Sequence, residues 1–302
     1  MKVQDSKEWL AAVLADRLEG SLPASGAEWF QKACEEVGES DPSRFALLLS
    51  LCSRHAPRSG LDPTKAELDE AARVLPGWNP ERWSCLEAMR VSLVLQRQDL
   101  AEEKGGEVIE EAFRFADEGE ACALYKSLAH LPQPERFLWR AAEGCRTNIV
   151  PVFESVACDS PYAARYFDEV AFRQLAIKAV FIGAPLWRVH GLDGRLDSEL
   201  ARMALDLVEE RRSAGRDVQP ELWLCLGSHA GERGQAALEE ELRQGPDAGK
   251  RAALLGLVRA GRSDLVQEHL DGPLSKTASF VLEHHQASDF SSLDPQAADA
   301  IL

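Results

Sequence analysis

The sequence predicts an all-α fold, an irregular helical-repeat array that resembles a HEAT-like α-solenoid. Three observations predict it. Alternating runs of β-branched residues, which mark strands, do not occur along the 302 residues. Ala, Leu, Glu and Arg recur instead at three-to-four spacing, the period of a helix that buries one face. Pro and Gly interrupt this pattern at short intervals, so we expect many short helices.

Eight helices are expected in the first half of the chain. Three of them follow a capping residue and a proline suited to the first helical turn, at Asp41-Pro42, Asp62-Pro63 and Asn79-Pro80. The expected helices are 5–18, 27–36, 42–54, 63–75, 79–96, 106–117, 118–129 and 134–145.

The second half begins with two more apolar helices and ends with short amphipathic ones. A loop rich in Gly and Pro is expected at 183–194, and the last four helices have the rhythm of helix-pair repeats of about 40 residues. The expected helices are 152–157, 168–182, 198–214, 220–226, 232–243, 247–260, 263–270 and 273–285.

The candidate linkers are short. Residues 22–26 and 227–234 are the most linker-like segments, and neither is long enough to favour separate domains. We therefore expect one helical body over 1–302, with a distinctive block at 132–227 and a C-terminal region of short helices at 232–302.

Composition indicates a cytoplasmic protein without a nucleic-acid partner. The 34 basic and 50 acidic side chains give a net charge of -16, which repels nucleic acid and anionic lipid. The apolar runs are too short for a membrane span, and the amino terminus has acids where a signal peptide needs an apolar core. The seven cysteines are scattered, as is typical of reduced thiols. We expect no direct membrane insertion.

One helix carries an unusual polar strip. Residues 168–182 are apolar around most of the helix, and Arg173, Gln174 and Lys178 fall in one arc. A buried ammonium group needs a carboxylate or a wet cavity. Two interpretations remain open. Lys178 pairs with a structural acid or reaches the surface while Gln174 bonds the backbone, or both residues line a ligand pocket.

A second cluster of polar residues, at 140–148, precedes Pro151. In the structural interpretation Glu143 pairs with Arg140 or Arg136, and Thr147 or Asn148 caps the next helix. In the functional interpretation the free N–H groups of that helix start, beside Arg146, bind an anion.

The 183–195 loop adds further candidates. Trp187 and Arg188 can flank a planar or anionic ligand, and His190 with Asp193 can form an acid/base pair. Alternatively Trp187 belongs to the core and His190 is an exposed loop residue. Signatures of metal or nucleotide sites do not occur, so we expect no cofactor and no metal. The candidate ligand-binding residues are Arg140, Glu143, Arg146, Asn148, Gln174, Lys178 and Arg188.

The block at 132–227 resembles the EboA-domain family, and the rest of the chain adds little to this resemblance. The motifs that carry it are R-A-A-E-G-C-R-T-N (140–148), S-P-Y (160–162), Y-F-D-E (166–169), K-A-V-F-I-G-A-P-L (178–186), R-V-H-G-L-D-G-R (188–195), L-A-R-M (200–203) and P-E-L-W (220–223).

Two segments depart from the family pattern. The chain has W-R-V-H-G-L-D (187–193) where relatives have Y-R-I-Q-G-L-D, and F-R-Q-L-A (172–176) where they have a W-N-Q-M pattern. A glutamine cannot transfer a proton, so the resemblance gives His190 no catalytic role.

The resemblance implies a pathway and no reaction. Such proteins are encoded in one operon with a UbiA-type prenyltransferase, a sugar-phosphate-cyclase-like enzyme, a TatD-like hydrolase and a TIM-barrel protein, and the set makes or exports a prenylated secondary metabolite. We therefore expect an accessory protein that binds a polar intermediate or one of these enzymes. The alternative is an enzyme acting on a phosphorylated cyclitol or sugar, with Glu143 as acid/base and Arg146 and Lys178 holding the anion.

Overall fold

The predicted all-α class is confirmed. The computed structural model describes residues 2–19, 25–284 and 289–296, and these ranges contain 17 α-helices and no strand. Contacts between Cα atoms divide the chain into two compact units, 1–171 and 172–302. The single body and the HEAT-like repeat stay predictions.

Unit 1 is built around one apolar helix, α5. Nine of its twelve residues are buried, and it packs against α1, α2, α3 and α7. A helix that is buried on nearly every side belongs at the centre of such a bundle. The helices of unit 1 are α1 (Lys2–Glu19), α2 (Ser25–Val37), α3 (Pro42–His55), α4 (Lys65–Val74), α5 (Cys85–Gln96), α6 (Glu103–Phe115), α7 (Glu118–Ser127), α8 (Leu138–Arg146), α9 (Val150–Ala157) and α10 (Tyr162–Tyr166). The sequence patterns did not predict α10.

One of the three expected proline-based helix starts is confirmed. Asp41 Oδ1 accepts a hydrogen bond from the Arg44 N–H, and Pro42 begins α3. The other two expectations are wrong. Asp62 has a left-handed φ of 45°, and Asn79 Oδ1 accepts from the Glu81 N–H in a turn outside any helix.

Two capping boxes set the helix starts instead. Thr64 caps α4 with Glu67, and Ser84 caps α5 with Glu87. In each box the two side chains satisfy two backbone N–H groups, whereas a lone Asp or Asn before proline satisfies fewer. This difference explains why α5 begins at Cys85 and not at residue 79.

A histidine and three tryptophans form a buried aromatic cluster in unit 1. Trp78 lies 4.8 Å from Trp9 and 4.5 Å from His130, centroid to centroid, and Trp83 lies 5.6 Å from Trp78. His130 Nδ1 lies 2.9 Å from Ser6 Oγ, a hydrogen-bond distance. Burial lowers the pKa of His130 to about 3, so its ring is neutral at physiological pH.

Unit 2 is arranged around α15, which packs against α13, α14, α16 and α17. Small residues allow the close approach, because a Cβ at Gly256 would lie 2.7 Å from Leu238 Cδ2 and 3.0 Å from the Trp223 carbonyl oxygen. Helix α11 (Glu169–Ile182) starts at the end of unit 1 and continues into unit 2. The remaining helices are α12 (Ser198–Ser213), α13 (Glu221–Leu224), α14 (Gly231–Gln244), α15 (Asp247–Arg259), α16 (Ser263–Gln267) and α17 (Ser275–Glu283).

Some predicted segments fall outside the described ranges. His285, the expected end of the last helix, and most of the 22–26 linker are among them. Of the helices that the structure describes, none combines the length and apolar character needed to cross a bilayer.

Candidate functional site

The predicted ligand-binding residues are divided between the two units. Arg140, Glu143, Arg146 and Asn148 belong to unit 1, and Gln174, Lys178 and Arg188 belong to unit 2. Their assembly into one pocket therefore stays a prediction.

Glu143 does not pair with Arg140 or Arg136, so that expectation is wrong. It forms an ion pair with Arg146 one turn along α8, and the side chains are 40% and 68% exposed. Arg140 Nε donates to Glu110 on α6 at 2.9 Å, and Arg136 donates to the carbonyl oxygens of Leu100 and Glu102. Helix α6 and the turn before it supply nearer partners for both arginines than Glu143 does.

The segment after α8 forms a turn. Thr147 Oγ1 accepts from the Ile149 N–H at 3.1 Å, and α9 begins at Val150. Thr147 therefore does not cap α9, contrary to expectation, and a capping role of Asn148 stays a prediction.

Arg140 lies against two aromatic rings. Its Cζ lies 4.9 Å from the ring centroid of Phe113 and 4.9 Å from that of Trp139. Trp139 is 63% exposed, which is unusual for so large an apolar side chain. We call these residues, with Glu110, the Trp139 surface.

The polar strip of α11 has three different environments. Gln174 is exposed, and Lys178 is half-buried with its ammonium 5.4 Å from the Phe181 ring centroid. Arg173 forms a bidentate ion pair with Asp197, whose Oδ1 also accepts from the Leu200 N–H and caps α12. Burial acts to raise the pKa of Asp197, but these hydrogen bonds lower it below its usual value.

The carboxylate of Asp193 accepts hydrogen bonds from two other segments of unit 2. Its Oδ1 accepts from Arg259 at 2.7 Å, and its Oδ2 accepts from the Phe290 N–H at 3.3 Å. His190, the expected acid/base partner, is exposed. Asp193 therefore joins the 183–195 loop to α15 and to the 3₁₀ turn at Phe290–Leu293.

Glu221, from the P-E-L-W motif, connects two of the motif segments. Its Oε1 accepts from the Leu186 N–H at 2.7 Å, so the loop after α11 is fixed to α13. Burial raises the pKa of Glu221, and the hydrogen bond from Leu186 opposes the shift without cancelling it. Sequence patterns did not single out Glu221, because its partner lies far away in the chain.

Glu221→Gln is expected to stabilise unit 2 at neutral pH. A raised pKa means that the folded state binds more protons than the unfolded state just above pH 4.5, so stability falls as pH rises through that window. Glutamine keeps the acceptor for Leu186 and removes the ionisation. Urea unfolding between pH 4.5 and 8 should show a higher and flatter stability profile for the variant.

Glu221→Leu is the control, because it removes the acceptor together with the charge. It should lower stability at every pH by about 1–3 kcal/mol, since the Leu186 N–H is left unpaired. If Glu221→Gln is less stable than the unaltered protein at pH 7, the ionised carboxylate has a stabilising role that its surroundings do not explain.

Other motif residues have packing or capping roles. A Cβ at Gly144 would lie 2.7 Å from Tyr125 Cζ and from Val156 Cγ2, so only glycine fits between α7 and α9. The Tyr162 hydroxyl donates to the Pro134 carbonyl at 2.7 Å, and Asp168 Oδ1 accepts from the Ala171 N–H at the start of α11.

Three grooves lie within single units and are lined by residues outside the predicted set. The first has a volume of about 600 Å³ and lies between α1 and α4, and the second, of about 420 Å³, lies between the end of α3 and the start of α5. The third, of about 330 Å³, lies in unit 2 between the C-terminal ends of α12 and α14.

The model of one protein family, described as metabolite traffic protein EboA, matches residues 10–227. The match begins at residue 10 and not at 132, so it includes the amino-terminal helices that carried little of the resemblance. No curated protein and no solved structure matches the chain significantly.

Proposed function

Since the chain belongs to the EboA family of metabolite traffic proteins, we propose that it is an accessory protein of a pathway that makes and exports a prenylated secondary metabolite. Its role there is to bind a partner enzyme of that pathway, or a polar intermediate that the enzymes exchange. The partner enzymes in question are the prenyltransferase, the cyclase-like enzyme and the TIM-barrel protein of the same operon.

The Trp139 surface carries this proposal. Trp and Arg are the residue types that contribute most to binding energy at protein interfaces, and here an exposed Trp stacks on an Arg. The ion pair with Glu110 and the Phe113 ring hold Arg140 in place before any partner binds. A side chain that is already ordered loses less entropy on binding, which favours a role in docking.

The enzymatic alternative has less support from the geometry. Glu143 and Arg146 neutralise each other on an exposed turn of α8. General acid/base groups instead lie in sites that shield them from water and tune their pKa. The exposed ion pair of Glu143 and Arg146 therefore gives us reason to favour a binding role of the protein over a catalytic one.

We expect Trp139→Ser to reduce co-purification with the partner enzyme by about tenfold or more, because an interface Trp contributes about 2 kcal/mol or more. The variant should also lower pathway output in cells that lack the natural gene. Its melting temperature should hardly change, since the side chain is mostly exposed. Leu47→Ser, at another exposed apolar residue of unit 1, is the matched control and should retain the partner.

Two outcomes contradict the proposal. Retention of every partner enzyme and full output by the Trp139→Ser protein would remove the docking role of this surface. Conversion of an intermediate by the purified protein alone would show that it is an enzyme of the pathway.

A further inference from the structure

The groove between α1 and α4 has an apolar floor and an acidic rim. One face of each helix lines it. Trp9, Ala12 and Val13 come from α1, and Ala66 and Val74 come from α4. The small side chains at positions 12 and 66 leave a channel of about 600 Å³ open to solvent. Its length from residue 5 to residue 13 is about 12 Å, or roughly two helical turns.

Carboxylates outnumber basic groups along this groove. Asp5, Glu8, Glu67 and Glu70 line it, and Arg73 is its one arginine. Arg17 neutralises Glu67 from beside the groove, and Arg73 pairs with Glu70. The remaining negative charge lies on Asp5 and Glu8, at the N-terminal end of α1.

The lining favours a protein segment over a small polar metabolite. Small-ligand sites place a few polar groups so that they converge on the ligand. Here the Trp9 indole N–H already donates to the Glu67 carbonyl at 2.9 Å, and the carboxylates lie on the rim. Apolar side chains on one face of a helix would fill such a channel, and flanking basic residues would meet the rim.

We infer that this groove docks a short amphipathic helix of a partner protein, with apolar residues at helical spacing and lysine or arginine beside them. Charge complementarity identifies the occupant, because the acidic rim attracts basic segments and repels acidic ones. The inference concerns different helices from the Trp139 surface and stands whether or not that surface binds an enzyme.

Fluorescence anisotropy with a labelled helical peptide of about 14 residues, built from Leu, Ala and Lys, tests the inference. An isomer with its leucines scattered around the helix, and an analogue with Glu in place of Lys, should bind much more weakly. Asp5→Asn with Glu8→Gln should weaken binding about fivefold at low salt, because each exposed charge contact contributes modestly. Ala12→Phe, which fills the channel, should weaken it at all salt concentrations.

Asp16→Asn with Asp69→Asn is the matched control, since it removes two exposed acids of the same helices that do not line the groove. If the control variant loses as much peptide affinity as the variant with Asp5→Asn and Glu8→Gln, the peptide is attracted unspecifically to an acidic protein. That result would overturn the inference.

A photo-crosslinker at Ala66 then identifies the natural occupant in cells. Crosslinks to a basic helical segment of another protein support the inference. Crosslinks to a second copy of the chain, to residues 285–302 of the same chain, or to no protein segment overturn it.

Discussion

Replacing Gly144 with alanine is expected to destabilise unit 1 by about 2 kcal/mol. Two effects of opposite sign compete. Alanine is the better helix former by about 1 kcal/mol, which alone would stabilise α8. The new Cβ, however, would lie 2.7 Å from both Tyr125 Cζ and Val156 Cγ2. These atoms belong to two different helices, so one rotamer change cannot relieve both contacts, and the steric effect is the larger.

Thermal unfolding followed by circular dichroism checks this expectation. The melting temperature of unit 1 should fall by about 5 °C, given the usual scaling for a domain of that size. Gly194→Ala is the control, because a Cβ there meets no atom within 4 Å and the φ of Gly194 is not positive. If Gly144→Ala raises the melting temperature, α7 and α9 do not enclose this glycine as closely as the two 2.7 Å distances indicate.

Helix positions were predictable from the sequence because they depend on local periodicity. Helix α5 and the apolar core of α11 follow directly from the spacing of their apolar residues. Helix starts were less predictable. Asp62 and Asn79 each precede a proline, but Thr64 and Ser84 have a glutamate three residues later and cap more backbone groups.

The partners of the candidate site residues were harder to predict because they are distant in sequence. Arg140 pairs with Glu110, Asp193 with Arg259, and Glu221 accepts from the Leu186 N–H. No helical spacing relates these positions, so the motifs identified notable residues without indicating their contacts. The buried neutral His130 was missed for the same reason, since Ser6 lies on α1, and Trp78 and Trp83 lie between α4 and α5.

The second large effect on stability is expected when Gly249 is replaced with alanine. The sign of this effect should depend on whether the Glu241 carboxylate is present. The Glu241 side chain is about 3% exposed, and its Oε2 accepts from Arg212 at 2.6 Å. Its Oε1 is buried without a hydrogen-bond partner in the part of the chain that the structure describes. A Cβ at Gly249 would lie 2.0 Å from that oxygen, and one at Gly245 would lie 2.5 Å from it.

Gly249→Ala should therefore destabilise unit 2 by about 2–3 kcal/mol. The carboxylate must move to accept the methyl group, and any movement weakens its ion pair with Arg212, whose side chain is 36% exposed while that of Glu241 is buried. In a Glu241→Ala background the same substitution meets no carboxylate. There alanine should stabilise α15 by about 0.5–1 kcal/mol, because it is the better helix former.

The coupling between the two positions is measured by urea unfolding of four proteins. These are the unaltered protein, Gly249→Ala, Glu241→Ala and the double variant. Contacting residues couple by up to about 3 kcal/mol, whereas distant ones add independently. Gly194→Ala, made in the same two backgrounds, should have equal effects in both and so serves as the control for additivity. A Gly249→Ala effect of the same sign and size with and without Glu241 would show that the carboxylate does not occupy the space beside α15. The reversal of sign is the sharper result, because a general weakening of unit 2 by either substitution cannot produce it.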